Sequence, residues 1–212
     1  MLKTMGRPRG SAGAPETALR ILDAAERLAQ TCGYNGFSYA DIARELKLTK
    51  ASLHYHFASK AALGRALMAR YSTTFAAALE AIDARGAGKP RKLRRYVELY
   101  ASVLRGDRMC LCGMLAAEHA TLPTALGADV TRFFDLNEAW LTRLLLEGRR
   151  EGTLRFSGSA RDAARLVMGS LEGAMLIARP AGRAAHFESV ASQLFAALVA
   201  PTPASGKARG AK

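Results

Sequence analysis

The segment from Thr49 to Phe57 holds the residues whose types and spacing best suit chemistry. A helix turns by about 100° per residue, which places Leu53 and Phe57 on one face of this segment. Ala51 and Tyr55 then point the opposite way. The polar residues that flank this outward pair are Lys50, Ser52 and His54. A small residue, an aromatic ring, hydroxyl groups and a cation on one helix face suit contacts with base edges and phosphates in the major groove of DNA.

Two short helices joined by a turn must position this face. Ser38 with Asp41 three residues later predicts a capping box at the start of the first helix. Ile42 and Leu46 supply the buried stripe of that helix, and Thr49 suits the N-cap of the second. Two short amphipathic helices with a three- or four-residue turn between them are typical of a helix-turn-helix.

The rest of the sequence also has a helical pattern. Pro15 and Gly33 suit the start and the end of a first helix. Further helices are predicted at residues 60–84, 90–104, about 109–120, 123–152, 159–178 and 184–200. Strand signals are nearly absent, so the sequence predicts an all-α fold.

The chain is expected to hold two helical domains between two flexible, basic ends. Residues 1–14 have no hydrophobic period and are predicted to form a flexible basic arm. Residues 15–60 are the predicted helix-turn-helix DNA-binding domain, and residues 61–200 are a second helical domain. Residues 201–212 are predicted to form a flexible basic tail.

The composition excludes several classes of protein. Of the 212 residues, 50% are hydrophobic and 23% are charged, which is typical of a globular chain. The sequence offers no apolar run long enough for a membrane span, no signal-peptide pattern, and too few cysteines for a disulfide framework. We therefore expect a cytoplasmic protein with no membrane partner.

The charge balance favours a polyanionic partner. The net charge is +13, and residues 1–70 hold 11 basic and 5 acidic side chains. A second basic cluster, residues 85–95, holds six basic residues and is predicted to be a solvated surface.

The basic arm contains a short motif of its own. The run Gly6-Arg7-Pro8-Arg9-Gly10 is similar to the core of an AT-hook, in which arginines enter the minor groove of A·T-rich DNA. Arg7 and Arg9 are therefore predicted DNA contacts. The alternative is an unstructured leader whose charge only raises non-specific affinity.

Residues 18–67 contain a series of motifs at characteristic spacing. They are Ile21-Leu22-Asp23-Ala24-Ala25, Gly33-Tyr34, Phe37-Ser38, Asp41-Ile42-Ala43, Thr49-Lys50, Ser52-Leu53-His54-Tyr55-His56-Phe57, Ser59-Lys60 and Leu63. This pattern resembles the DNA-binding domain of the TetR family of bacterial transcriptional repressors. The resemblance implies that the operator is faced by Lys50, Ala51, Ser52, His54 and Tyr55, and that the phosphates are contacted by Ser38, Tyr39 and Lys60.

The turn between the two short helices departs from the family pattern. The family usually has a small Ala-Gly pair in the turn between the two short helices, whereas this chain has Leu46-Lys47. We therefore expect Lys47 to adopt a positive φ, which is uncommon for a residue other than glycine.

The resemblance also implies that residues 61–200 bind a small effector and form a homodimer through the last two helices. The predicted helix at 159–178 is apolar nearly all round between Leu166 and Ile177, so it needs a cover on more than one side. Adaptable or aromatic side chains that could line an effector pocket are Tyr100, Met109, Met114, Phe133, Phe134, Trp140 and Met175. The alternative is that these residues are ordinary core.

Cys110 and Cys112 suggest a thiol sensor of electrophiles or oxidants, since Arg105 and Arg108 are close in sequence. Residues two apart on a helix diverge by about 200°, which argues against a disulfide between them. Buried inert thiols are the alternative. Cys112 with His119 would make an incomplete metal site, so no metal and no cofactor are predicted.

The sequence thus predicts a homodimeric repressor that a small-molecule effector releases from double-stranded operator DNA. A repressor released by thiol chemistry at Cys110 or Cys112 is the first alternative, and an architectural DNA-binding protein is the second. The sequence contains no nucleophile elbow, P-loop, zinc-protease helix or dinucleotide fingerprint, so no catalytic residue is proposed and an enzyme is not expected.

Overall fold

The computed structural model describes residues 14–180, 182 and 184–200, which form nine α-helices. They are α1 (Ala14–Cys32), α2 (Tyr39–Leu46), α3 (Lys50–His56), α4 (Lys60–Ala84), α5 (Lys89–Arg105), α6 (Leu111–Ala117), α7 (Thr124–Arg150), α8 (Ala160–Ala178) and α9 (Ala184–Leu198). An isolated antiparallel bridge between Leu154 and Val199 is the only β-type pairing within these residues. The prediction of an all-α fold is confirmed.

The predicted ends of the short helices follow from their caps. The capping box at Ser38 and Asp41 is present, and the Asp41 carboxylate accepts a hydrogen bond from the Ser38 N–H at 2.9 Å. The Thr49 hydroxyl accepts from the Ser52 N–H at 3.1 Å, which fixes the start of α3. Gly33 ends α1 with a φ of +84°.

One predicted helix is shorter in the structure. The segment expected to be helical at about 109–120 forms α6 over seven residues, followed by a 3-10 turn at His119–Thr121. Cys110 already has an extended ψ of 125°, and the Glu118 N–H turns back to the carbonyls of Leu115 and Ala116. The helix therefore ends where its last N–H makes short-range bonds.

The chain divides into two compact units. The first contains residues 14–77 together with Gly106–Phe134, so it includes α1 to α3, most of α4, all of α6 and the beginning of α7. The core side chains that are at most 1% exposed include those of Ile21, Ala25, Ile42, Leu53, Leu63, Leu67, Leu111, Leu115 and Leu126.

The second unit contains Ala78–Arg105 and residues 135–200. Within it α8 packs along α9, and α5 packs against both helices. The core side chains that are at most 2% exposed include those of Leu93, Tyr96, Leu141, Leu145, Val167, Leu171, Met175 and Phe187.

An ion-pair network in the second unit uses part of the basic cluster at residues 85–95. The Asp83 carboxylate accepts hydrogen bonds from Lys92 at 2.9 Å, Trp140 at 3.0 Å and Arg143 at 2.8 Å. Burial opposes ionisation of Asp83, but the bonds from Lys92 and Trp140 outweigh it and lower the pKa of this carboxyl. Lys89 pairs with Glu147, so Lys89 and Lys92 of this cluster both make ion pairs within the fold.

No helix in the described part of the chain is both long and apolar enough to cross a bilayer. Within the same residues, no group of three or more His, Cys, Asp or Glu side chains is arranged to hold a metal ion.

Candidate nucleic-acid interface

Helix α3 separates its residues sharply into an inner and an outer face. Leu53 is fully buried, whereas the Tyr55 side chain is 79% exposed. Lys50 and Ala51 are also exposed. We call the outward set Lys50, Ala51, Ser52, His54 and Tyr55 the reading face; Ser52 is half-buried and the other four are exposed. This face can present a ring, a cation and hydroxyl groups to a groove or a phosphate backbone.

The turn between α2 and α3 has the backbone geometry expected from its sequence. Lys47 has a φ of 55°, in the left-handed region, and it is the C-cap residue of α2. The Leu48 N–H donates to the Ala43 carbonyl at 2.9 Å, which closes the turn. The Arg27 to Glu45 ion pair joins α1 to α2 beside this turn. The helix-turn-helix therefore forms despite the missing glycine.

Two of the predicted phosphate contacts also hold the domain together. Tyr39 is 9% exposed, and its hydroxyl donates to the Phe57 carbonyl at 2.8 Å. Burial raises the pKa of Tyr39 to about 12, so it remains a hydrogen-bond donor. Ser38 is exposed at the start of α2, and its hydroxyl donates to Asp41 at 2.7 Å.

Lys60, the first residue of α4, is half-buried. Its ammonium donates to the Phe37 carbonyl and lies 4.7 Å from the ring centroid of Tyr34 and 4.5 Å from that of Phe37. Burial lowers the pKa of Lys60, while the nearby carboxylate of Glu118 raises it. The sequence pattern marks Tyr34 and Phe37 only as family motifs and gives no signal that they enclose this cation.

A small open cleft of about 340 Å³ gathers several of the predicted DNA contacts in one place. It is lined by Phe37, Ser38, Tyr39, Ala40, Lys50, His54 and Lys60. The His54 ring lies 4.8 Å from the Tyr39 ring, which ties the second half of the reading face to α2. The structure thus brings Ser38, Lys50 and Lys60 to one edge of the helix-turn-helix. Arg7 and Arg9, with the rest of the basic arm up to residue 13 and the tail from residue 201, lie outside the described residues.

The predicted effector residues divide between the two units. Met109, Met114 and Phe134 belong to the first unit, and Tyr100, Trp140 and Met175 belong to the second. Met109, Tyr100, Trp140 and Met175 are at most 7% exposed, whereas Met114 and Phe134 are half-buried. Trp140 stacks on Tyr96 at 5.5 Å, and its indole N–H is bound to Asp83.

Cys110 and Cys112, the cysteines of the alternative in which a thiol is the sensor, are both buried. Cys110 is 3% exposed, and its sulfur lies 4.0 Å from the Tyr71 hydroxyl. Cys112 is fully buried, with its sulfur 3.9 Å from that of Met68. Buried cysteines of this kind are usually inert, whereas Cys32, on the last turn of α1, is exposed.

A second outward surface lies on α8 and is apolar. Leu166, Leu176 and Ile177 are 61 to 64% exposed. A Cβ added to Gly169 or Gly173 on the same helix would meet no atom within 4 Å. We call these five residues the apolar face of α8.

Comparisons with known proteins agree with the helix-turn-helix geometry. Residues 21–67 match the family described as bacterial regulatory proteins of the tetR family. A solved TetR-family transcriptional regulator from Agrobacterium tumefaciens is 32% identical, with a TM-score of 0.85, and the match covers 88% of this chain and 100% of that one. A TetR transcriptional regulator from Legionella pneumophila is 31% identical, with a TM-score of 0.76, over 82% of this chain and 93% of that one.

A curated relative supports the same assignment at lower identity. The HTH-type transcriptional repressor DhaR of Mycobacterium sp. is 24% identical over 145 residues, which cover 68% of this chain and 73% of that protein. Because the likeness extends along nearly the whole chain and the helix-turn-helix exposes its second helix, this protein belongs to the TetR family of bacterial transcriptional regulators.

Proposed function

We propose that this regulator is a homodimeric repressor that holds a palindromic operator until a small-molecule effector releases it. The observation that carries the proposal is the reading face of α3, where Tyr55 is 79% exposed while Leu53 behind it is fully buried. An exposed aromatic ring beside a cation and polar side chains on one helix face suits contacts with base edges and phosphates. The relative named a transcriptional repressor supports repression as the mode of action.

The apolar face of α8 supports the homodimer. Its three large side chains remain more than half exposed in the single chain, and its two glycines leave space for a closely approaching helix. Two copies of this face related by a two-fold axis would cover each other. A two-fold dimer also presents two reading faces to two half-sites of DNA.

Effector release requires differential affinity. The effector must bind more tightly to a spacing or tilt of the two reading faces that the operator does not accept, and DNA and effector then weaken each other reciprocally. Helix α4 is a natural lever for this change, because it begins at Lys60 beside the reading face and contains residues of both units.

Selection of bound sequences from a pool of random duplexes tests the proposal directly. We expect a palindrome whose half-sites are separated by about one helical turn or a multiple of it. A pool that stays random after several rounds would contradict a sequence-reading dimer. An architectural DNA-binding protein would give that result, and its affinity would follow salt concentration without operator preference.

A length change in α4 tests the lever. Two residues inserted in the middle of this helix rotate its C-terminal half by about 200° about the helix axis, so the selected duplex should no longer bind although the dimer persists. Gel shifts measure the binding, and sedimentation measures the dimer. Unchanged binding of the duplex would show that α4 is not the lever.

A further inference from the structure

The loop that joins α1 to α2 is hydrogen-bonded to a residue from a distant part of the chain. Glu118, the residue after α6, accepts hydrogen bonds from two successive backbone N–H groups. The Tyr34 N–H lies 2.7 Å from its Oε2 atom, and the Asn35 N–H lies 3.2 Å from the same oxygen. Hydrogen bonds to an ionised carboxylate are stronger than those between neutral groups.

Gly33 allows this close approach. A Cβ at this position would lie 2.5 Å from the Glu118 Oε1 atom, closer than real contacts allow. The φ of Gly33 is also +84°, which side chains rarely accept. Gly33 therefore serves both to end α1 and to admit the carboxylate.

Both ends of α6 are tied to the same region of the first unit. Ahead of α6, the Met109 N–H donates to the Gln30 carbonyl at 3.1 Å. After α6, the Asn35 side chain donates to the Thr121 hydroxyl at 2.7 Å, beside the bonds to Glu118. The short helix is thus attached to the end of α1 and to the loop between α1 and α2.

The charge of Glu118 is costly for α6 itself. Glu118 is the C-cap residue of this helix, where the helix dipole disfavours a negative side chain. The N–H groups of the α1 to α2 loop offset this cost, because they donate to the carboxylate. Lys60 binds the Phe37 carbonyl at the far end of the same loop. Charged groups from α4 and from the end of α6 therefore hold the loop that leads into α2.

We infer that Glu118 is a positioning residue, a latch that makes α6 move together with the loop before α2 and therefore with the reading face. This inference rests on the proposed function, since the latch would couple effector binding to α2 and α3 through α6 as well as through α4. An effector that displaces α6 must then either carry the helix-turn-helix with it or break the two bonds at Tyr34 and Asn35.

Hydrogen exchange in the free full-length protein tests the latch. Glu118→Gln removes the charge while keeping the size of the side chain, and Glu80→Gln on the exposed side of α4 is the matched control. We expect exchange at Tyr34 and Asn35 to become faster by about tenfold in Glu118→Gln, with a smaller increase across residues 39–56 and no change in the control. Thr121→Val removes the bond from the Asn35 side chain and the bond that the Thr121 hydroxyl donates to the Glu118 carbonyl, but it leaves the Glu118 carboxylate in place, and it should act in the same direction more weakly.

Two results of the exchange experiment would overturn the latch. Faster exchange confined to residues 33–37 would mean a local cap that does not reach α2 and α3. Faster exchange across the whole first unit with a lower melting temperature would mean a purely structural residue.

DNA binding provides the second measurement. We expect Glu118→Gln to bind the selected palindrome about tenfold more weakly, whereas binding to a random-sequence duplex stays within about twofold because the number of phosphate contacts is unchanged. A parallel loss on both duplexes, or no loss on either, would contradict the latch. If the wild-type protein selects no palindrome, the proposed function fails, and the exchange experiment still decides whether the latch exists.

Discussion

Helices α3 and α8 each expose large side chains on one face, and the chemistry of the two surfaces differs. The reading face of α3 combines Tyr55 with a cation and polar groups, while the apolar face of α8 consists of aliphatic side chains and glycines. A polar, aromatic and basic surface suits a hydrated polyanion, whereas a continuous aliphatic surface suits another protein surface from which water is excluded. Exposure together with side-chain chemistry therefore favours a different class of partner for each surface.

The largest effect is expected from substitutions in the apolar face of α8, which test its role in the dimer. Replacing Leu176 and Ile177 with arginine places two charges where a second copy should dock, and should cost the dimer roughly 3 kcal/mol or more. Sedimentation should show monomers at concentrations where the wild-type protein is dimeric. Leu19→Arg is a matched control, since Leu19 is 54% exposed but lies on α1. A variant that stays dimeric would remove the apolar face from the interface.

The next largest effect is a loss of stability, which is expected at the inner face of α3. Leu53→Ala empties a fully buried position and should destabilise the protein by about 2–5 kcal/mol. Chemical denaturation measures this loss. A change below about 1 kcal/mol would mean that α3 is not anchored by its inner face.

Tyr55→Ala tests the outer side of the same helix. Because the ring is exposed, we expect a change in stability within about 0.5 kcal/mol. Affinity for the selected palindrome should fall by about 1–3 kcal/mol, which is roughly 5- to 150-fold. A large drop in melting temperature with little loss of binding would show that Tyr55 is structural.

Lys50→Ala distinguishes a phosphate contact from a base contact. Loss of a phosphate contact should reduce the slope of log affinity against log salt by about 1 for all duplexes. Loss of a base contact should instead relax sequence preference at one position of each half-site. Unchanged slope and unchanged preference would remove Lys50 from the interface.

The smallest effect concerns the turn that sets the direction of α3. Lys47 holds a φ of 55°, so Lys47→Gly should relieve strain and stabilise the protein by about 0.5–1 kcal/mol. Lys47→Ala keeps the Cβ and serves as the control, with no gain expected. Equal melting temperatures for both variants would show that the backbone is not strained there.

Much of the local structure could be predicted because it depends on neighbouring residues. The capping box at Ser38, the N-cap at Thr49 and the positive φ at Lys47 each involve side chains or backbone within a few positions. The helix predicted at about 109–120 was wrong in length: α6 ends at Ala117, where the Glu118 N–H bonds to the Leu115 and Ala116 carbonyls, and the Glu118 carboxylate binds the loop after α1.

In the candidate site, too, some features follow from neighbouring residues and others depend on contacts between distant segments. The outward direction of Ala51 and Tyr55 follows from helical periodicity. The burial of Tyr39 and the position of Lys60 over the rings of Tyr34 and Phe37 depend on how α2, α4 and the loop between α1 and α2 pack together. The sequence pattern gave no sign that Glu118 binds the loop after α1, since its partners lie more than eighty positions away.

The order of residues along the chain was sufficient to specify the helical class, the helix-turn-helix and the side of α3 that faces outward, because periodicity, caps and turns act over a few residues. Which polar groups are free for a partner and which hold the fold, as Tyr39 and Glu118 do, became clear only from the packed helices. A hydrogen bond or a buried ring needs two segments in contact, and the distance between segments in space is not encoded in any short stretch of the chain.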